Sequence, residues 1–172
     1  ALLEGSKVKF IATATIGYDH IDTDYCRKNS IFWTNAPGCN SSSVEQYFVS
    51  ALLSLAIKEK LYLSSMCLGV IGVGNVGSKI ARAAEALGLN VLLNDPPRAF
   101  AEGLAGFESL EKIKKEADII SFHVPLNLNG PFKTSGMADR SFFENLKKKA
   151  ILVNSSRGEV INEKDLLAAM QK

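Results

Sequence analysis

The chain has 172 residues, 47% of them hydrophobic and 22% charged, with a formal net charge of +2. That length and apolar share suit one packed domain with room for part of a second, and they exclude a disordered chain. The even charge argues against a nucleic-acid partner, no apolar run reaches the roughly 18 residues that span a bilayer, and three scattered cysteines (Cys26, Cys39, Cys67) fit a reducing, cytoplasmic setting better than a disulfide or zinc framework.

In chain order, residues 1–5 read as the end of a helix closed by Gly5. Residues 9–14 and 31–35 are short apolar runs of strand character, with a brief helical stretch over 22–28 between them. A long helix is expected over 44–63, with Val44, Phe48, Leu52 and Leu55 on one stripe. Strand-like runs then recur at 68–73, 90–94, 118–123 and 150–154. Helical stretches at 76–87, 110–116, 141–146 and 163–171 separate and follow them. The basic run Lys147-Lys148-Lys149 ends one helical pattern, where cations suit the helix dipole. Short apolar strands alternating with helices predict an α/β fold, a Rossmann-type doubly wound parallel sheet with helices on both faces. The internal boundary is placed at the long helix, dividing the chain into residues 1–42 and 43–172.

Leu68 to Gly77 is the most informative stretch. Gly72, Gly74 and Gly77 form GxGxxG between an apolar strand and a helical pattern, the setting in which the motif binds a dinucleotide. Gly72 permits the turn, Gly74 lets a pyrophosphate approach, and Gly77 lets helix and strand pack closely. Asn75 and Val76 open the helix whose free N–H groups would meet the phosphates. Asp95 follows the next strand, 18 residues beyond Gly77, where a carboxylate meets the adenosine ribose and favours NAD over NADP. Arg98 argues the other way, and Asp95-Pro96-Pro97 also reads as a plain cap or turn.

The run from Ile151 to Ile161 is a strand that ends in Ser155, Ser156, Arg157 and Gly158. Ligands lie beyond the carboxyl ends of strands in open parallel sheets. A planar guanidinium there suits capture of a substrate carboxylate; a surface arginine opening a loop is the plainer alternative. This segment resembles the arginine signature of the D-2-hydroxyacid dehydrogenases. The run Thr13 to Asp22, with Ile16-Gly17-Tyr18-Asp19, resembles the same family. So do Asn35-Ala36-Pro37-Gly38-Cys39-Asn40, Asp95-Pro96-Pro97-Arg98 and Phe122-His123-Val124-Pro125-Leu126. The runs Asn35 to Asn40 and Asp95 to Arg98 are narrower marks, of a member that acts on a phosphorylated 2-hydroxy acid.

The resemblance implies an NAD-dependent oxidoreductase, homodimeric when full length, with a small phosphorylated 2-hydroxy acid as partner and neither membrane nor nucleic acid. Residues 1–42 would be a remnant of a flavodoxin-like substrate domain plus the crossover, and 43–172 an NAD-binding domain. Arg157 would be catalytic, Thr15 would touch the substrate, and Ser155, Ser156 and Arg157 would border the nicotinamide. Val124 stands where the narrower group carries a threonine, so that one hydroxyl contact is lost. The family's catalytic glutamate and histidine would lie beyond Lys172, leaving the chain incomplete for catalysis. His123, inside an apolar strand, reads as a satisfied core histidine, and His20 as structural. Another member of phosphoglycerate or glycerate type, or an NAD-sensing binding protein on the same fold, are the alternatives.

Overall fold

The computed structural model describes residues 2–103 and 105–171. Its elements run β1 (Phe10–Ala12), α1 (Thr23–Lys28), β2 (Phe32–Thr34), α2 (Ser41–Glu59), β3 (Cys67–Ile71), α3 (Gly77–Ala86), β4 (Asn90–Asn94), α4 (Pro96–Glu102), α5 (Leu110–Glu116), β5 (Ile119–Phe122), α6 (Arg140–Glu144), β6 (Ile151–Asn154) and α7 (Glu163–Met170). All the strand pairings are parallel. β1 and β2 form a small sheet by themselves, in register Phe10↔Phe32, while the main sheet has the order β4-β3-β5-β6.

The alternation along the central strands decides the layering. Leu68 and Val70 of β3, with Ile119 of β5, point to the face covered by Phe48 and Leu52 of α2 and by Ile80, Ala81 and Ala84 of α3. Their neighbours Cys67, Ile71, Ile120 and Phe122 point to the opposite face, covered by Ile113 of α5, Phe142 and Phe143 of α6, and Val160. Both faces of β3 and β5 are therefore dry, which is why these strands carry no polar alternation apart from Ser121. Gly69 sits under α5, where an added Cβ would run into the Ile113 side chain. The glycine thus sets how closely α5 lies on the sheet.

Three expectations change. Residues 2–5, expected as a helix end, are a turn, with Ser6 N–H donating to Leu3 O at 3.1 Å and Gly5 left-handed at φ 72° as a glycine cap requires; Ala1 lies outside the described residues. The long helix starts at Ser41 and stops at Glu59, because Lys60 takes a left-handed conformation with φ 53°, and Leu63–Ser65 make a separate 3-10 turn. The Asp95-Pro96-Pro97 segment opens α4. Prolines at the first two helical positions give up only N–H groups that have no helical partner there.

The strand order reverses at β3. The chain leaves β3 for β4 on one side, then crosses back to β5 and β6 on the other. This switch point opens a crevice beyond the carboxyl ends of β3 and β5.

Candidate active site

Four loops leave the carboxyl edge of the main sheet, and they carry nearly every residue singled out from the sequence. The turn after β3 holds Gly72 with φ 89°, its N–H donating to Asn94 O at 2.8 Å. A Cβ on Gly72 would stand 2.7 Å from the His123 carbonyl, and one on Gly77 would run into Gly72 O. Those two glycines are fixed by close approach between backbones. Gly74 differs: nothing lies within 4 Å of where its Cβ would be. Open space over a turn that leads into α3 is what a pyrophosphate requires, so the turn fits a dinucleotide. The Asn75 side chain packs on Gly38, whose added Cβ would stand 3.2 Å from the amide. Val76 is the residue before α3, and its carbonyl accepts from Lys79 N–H and Ile80 N–H at 3.0 Å each.

Asp95 leaves β4 beside that turn. One carboxylate oxygen accepts from Val73 N–H at 2.8 Å and the other from Arg98 N–H at 3.1 Å. The plain-cap reading is thus correct as geometry, since Asp95 is the N-cap of α4. A carboxylate oxygen accepts more than one hydrogen bond, so capping leaves capacity for ribose hydroxyls. Arg98 donates through Nη1 to Val73 O at 2.6 Å, and through Nε and Nη2 to Glu102 at 2.7 and 2.8 Å.

His123 follows β5. Its two ring nitrogens share hydrogen bonds with Ser121 Oγ at 2.8 Å and Ser155 Oγ at 3.3 Å. Burial pushes its pKa down to about 4, so the imidazole is neutral at physiological pH. It ties the ends of β5 and β6 together. The hydroxyl of Ser155 is held in this way, and Ser156 is held by Asn154, whose Oδ1 accepts from Ser156 N–H at 3.0 Å and Oγ at 2.8 Å. Asn154 Nδ2 donates in turn to Arg157 O at 2.8 Å. Asn154 therefore shapes the whole Ser155–Arg157 turn; the sequence offered only a polar residue at a strand end.

Arg157 reaches out of this turn to the first part of the chain. Its Nε donates to Asp19 Oδ2 at 2.7 Å and its Nη1 to Ser156 O at 3.0 Å. The guanidinium lies against Gly17, where any Cβ would collide with Nη2. Thr15 stands on the same loop, donating to Gly17 O at 2.6 Å and sharing a 2.7 Å hydrogen bond with Thr13 Oγ1. Thr13 Oγ1 also meets His20 Nε2 at 3.2 Å. The loop is braced from below by Ala36 N–H on Thr15 O at 3.0 Å and Asn35 Nδ2 on Ile16 O at 2.6 Å. Asp19, the partner of Arg157, was not singled out from the sequence; its signal was its place in the run Thr13 to Asp22. Among the described residues no cluster of His, Cys, Asp and Glu could hold a metal, and no helix is long and apolar enough to cross a membrane.

Residues 54–172 match the family described as D-isomer specific 2-hydroxyacid dehydrogenase, NAD binding domain. The chain is 56% identical over 171 residues to an erythronate-4-phosphate dehydrogenase of Bacteroides fragilis, covering 99% of this chain and 49% of that protein. It is 46% identical to one of Photorhabdus laumondii, covering 99% and 45%. It thus spans about half the length of these relatives. Among solved structures, D-lactate dehydrogenase of Aquifex aeolicus, complexed with NAD and lactic acid, superposes with a TM-score of 0.83 at 31% identity, covering 99% of this chain and 56% of that one. NAD-bound 3-phosphoglycerate dehydrogenase of Entamoeba histolytica gives 0.81 at 27%, covering 96% and 54%. With its parallel sheet, its glycine turn at the switch point and this match over more than half its length, the chain belongs to the NAD-binding domain family of the D-isomer-specific 2-hydroxyacid dehydrogenases.

Proposed function

We propose that the protein to which this chain belongs oxidises 4-phospho-D-erythronate to its 2-oxo acid with NAD, as a step of vitamin B6 formation, and that it works as a cytoplasmic homodimer. Support for the substrate comes from the relatives of that name and their identity of 44–56% over nearly the whole chain. The observation that carries the chemistry is Arg157. It leaves the carboxyl end of β6, beside the switch-point crevice, and meets the loop of Thr15 and Asp19. In this reading residues 1–42 belong to the substrate domain and 43–172 to the cofactor domain, so the arginine stands where the two meet.

When bound, NAD supplies the hydride acceptor. Gly72, Gly74, Asn75, Val76 and Gly77 receive the pyrophosphate, and Asp95 takes the adenosine ribose hydroxyls. Ser155 and Ser156 border the nicotinamide. Arg157 holds the substrate carboxylate through its planar fork and stabilises negative charge on the C2 oxygen. Thr15 offers a hydroxyl to the same substrate. His123 is already engaged by two serines and is a poor proton acceptor near neutral pH. Proton transfer is accordingly assigned to the glutamate–histidine pair that the family resemblance places elsewhere in the full-length protein.

Arg157→Lys in the full-length protein tests the assignment, because it keeps the charge and loses the fork. The expected result is a fall in kcat/KM of about 10²-fold or more with NAD affinity little changed. Near-normal turnover would leave Arg157 a structural link to Asp19. Assays against a panel of phosphorylated and unphosphorylated 2-hydroxy acids decide the substrate.

A further inference from the structure

The eight residues that follow β4, Asp95 to Glu102, contain a charge arrangement that helix stability does not account for. Arg98 is the third residue of α4 and Glu102 the last. An arginine four residues before a glutamate is the weaker order for a helical pair, and a carboxylate in the final turn opposes the helix dipole. Yet the pair is bidentate, with Nε–Oε1 at 2.7 Å and Nη2–Oε2 at 2.8 Å. The remaining nitrogen donates to Val73 O at 2.6 Å, inside the glycine turn, and the guanidinium carbon stands 5.4 Å from the Phe107 ring centroid. All three guanidinium nitrogens are thus engaged, one turn of helix away from the carboxylate of Asp95.

We infer that Glu102 sets the cofactor preference of this site: it occupies the Arg98 fork that would otherwise receive the 2′-phosphate of NADP. The inference rests on the reading of Asp95 as the ribose ligand. A 2′-phosphate would project from the ribose beside Asp95, and an arginine near that position is what accommodates it in sites of this fold. Here the guanidinium is flanked by two carboxylates, so the cluster of Asp95, Arg98 and Glu102 carries a net charge of −1 and rejects a dianion. Glu102 stays ionised, since its hydrogen bond to Arg98 holds its pKa below the usual carboxylate range. Replacing Glu102 by a neutral residue frees the fork and removes one of the two repelling charges. Glu102 acts through Arg98 and is a positioning residue.

The test is titration calorimetry of the full-length protein with NAD and with NADP, on the wild type and on Glu102→Gln, Asp95→Ala and the double variant Glu102→Gln/Arg98→Ala. In Glu102→Gln, NADP should bind roughly tenfold tighter, the scale of one or two charge-assisted hydrogen bonds regained, while NAD affinity moves far less. The double variant should lose that gain. An unchanged NADP to NAD ratio in Glu102→Gln overturns the inference and leaves a surface ion pair; so does a gain that survives the loss of Arg98. If Asp95→Ala leaves NAD affinity untouched, the ribose assignment itself is wrong. The two failures are therefore distinguishable. The ratio of the two affinities is a readout that a loss of helix stability would not shift in one direction.

Discussion

His123 illustrates how a residue can stand at a catalytic edge without doing catalysis. It is half-buried, both ring nitrogens are engaged by serine hydroxyls, and burial depresses its pKa from 6.5 to about 4. The unfolded chain therefore binds a proton that the folded chain refuses. The sign follows: stability is full above pH 6.5 and falls as pH drops from there toward 4, by roughly 2 to 3 kcal/mol. Denaturant titrations of the wild type and of His123→Gln at pH 7 and pH 4.5 check this. The wild type should lose more than the variant, and equal losses would show that the imidazole protonates freely in the fold. At this scale the sequence was informative where chemistry is local. The three glycines and Asp95 are legible because their spacing is set by one strand, one turn and one helix. Asp19 and Glu102 are not. The partner of Asp19 lies 138 residues away, and that of Glu102 reads as an ordinary helical pair until the distances show it is bidentate.

The elements were readable for a related reason. The strands of the main sheet are four or five residues long and mostly apolar, and β4 and α5 fall where the pattern put them. The missed helix, α4, begins with two prolines, which mark a turn as well as they mark a first helical turn; only the Asp95 cap decides between them. How tightly the elements join is tested at Gly77. A methyl group there points at Gly72 O, a backbone atom that cannot swing aside. Gly77→Ala should destabilise the protein by about 1–3 kcal/mol in chemical denaturation, the usual cost of overpacking, and weaken NAD binding with it. A variant of unchanged stability would mean that the turn has slack the geometry does not show.

For the whole molecule, the small sheet of β1 and β2 is linked to the main sheet by a few polar contacts. Arg157 meets Asp19, and Asn75 packs on Gly38 in the loop after β2. The Arg157–Asp19 pair is partly exposed, with side-chain accessibilities of 35% and 52%, so its contribution to stability is under about 1 kcal/mol. Its effect belongs to local order. Asp19→Asn should raise amide hydrogen exchange in residues 10–34 several-fold while β3 and β5 keep their protection. Uniform change across both sheets would show that the two open as one unit.

The close approach of the Arg157 guanidinium to Gly17 has a consequence for how this protein tolerates variation. A methyl group at that position meets the tip of the Arg157 side chain, which can move, so the fold should survive the change; what moves is the guanidinium, off Asp19 and out of the place where it would receive a carboxylate. In a saturation-mutagenesis library of the full-length gene, Gly17 should therefore sort with Arg157 in a growth selection for activity, yet sort with silent surface positions in a screen for soluble expression. A position with no functional group of its own would be inherited as though it were part of the active site.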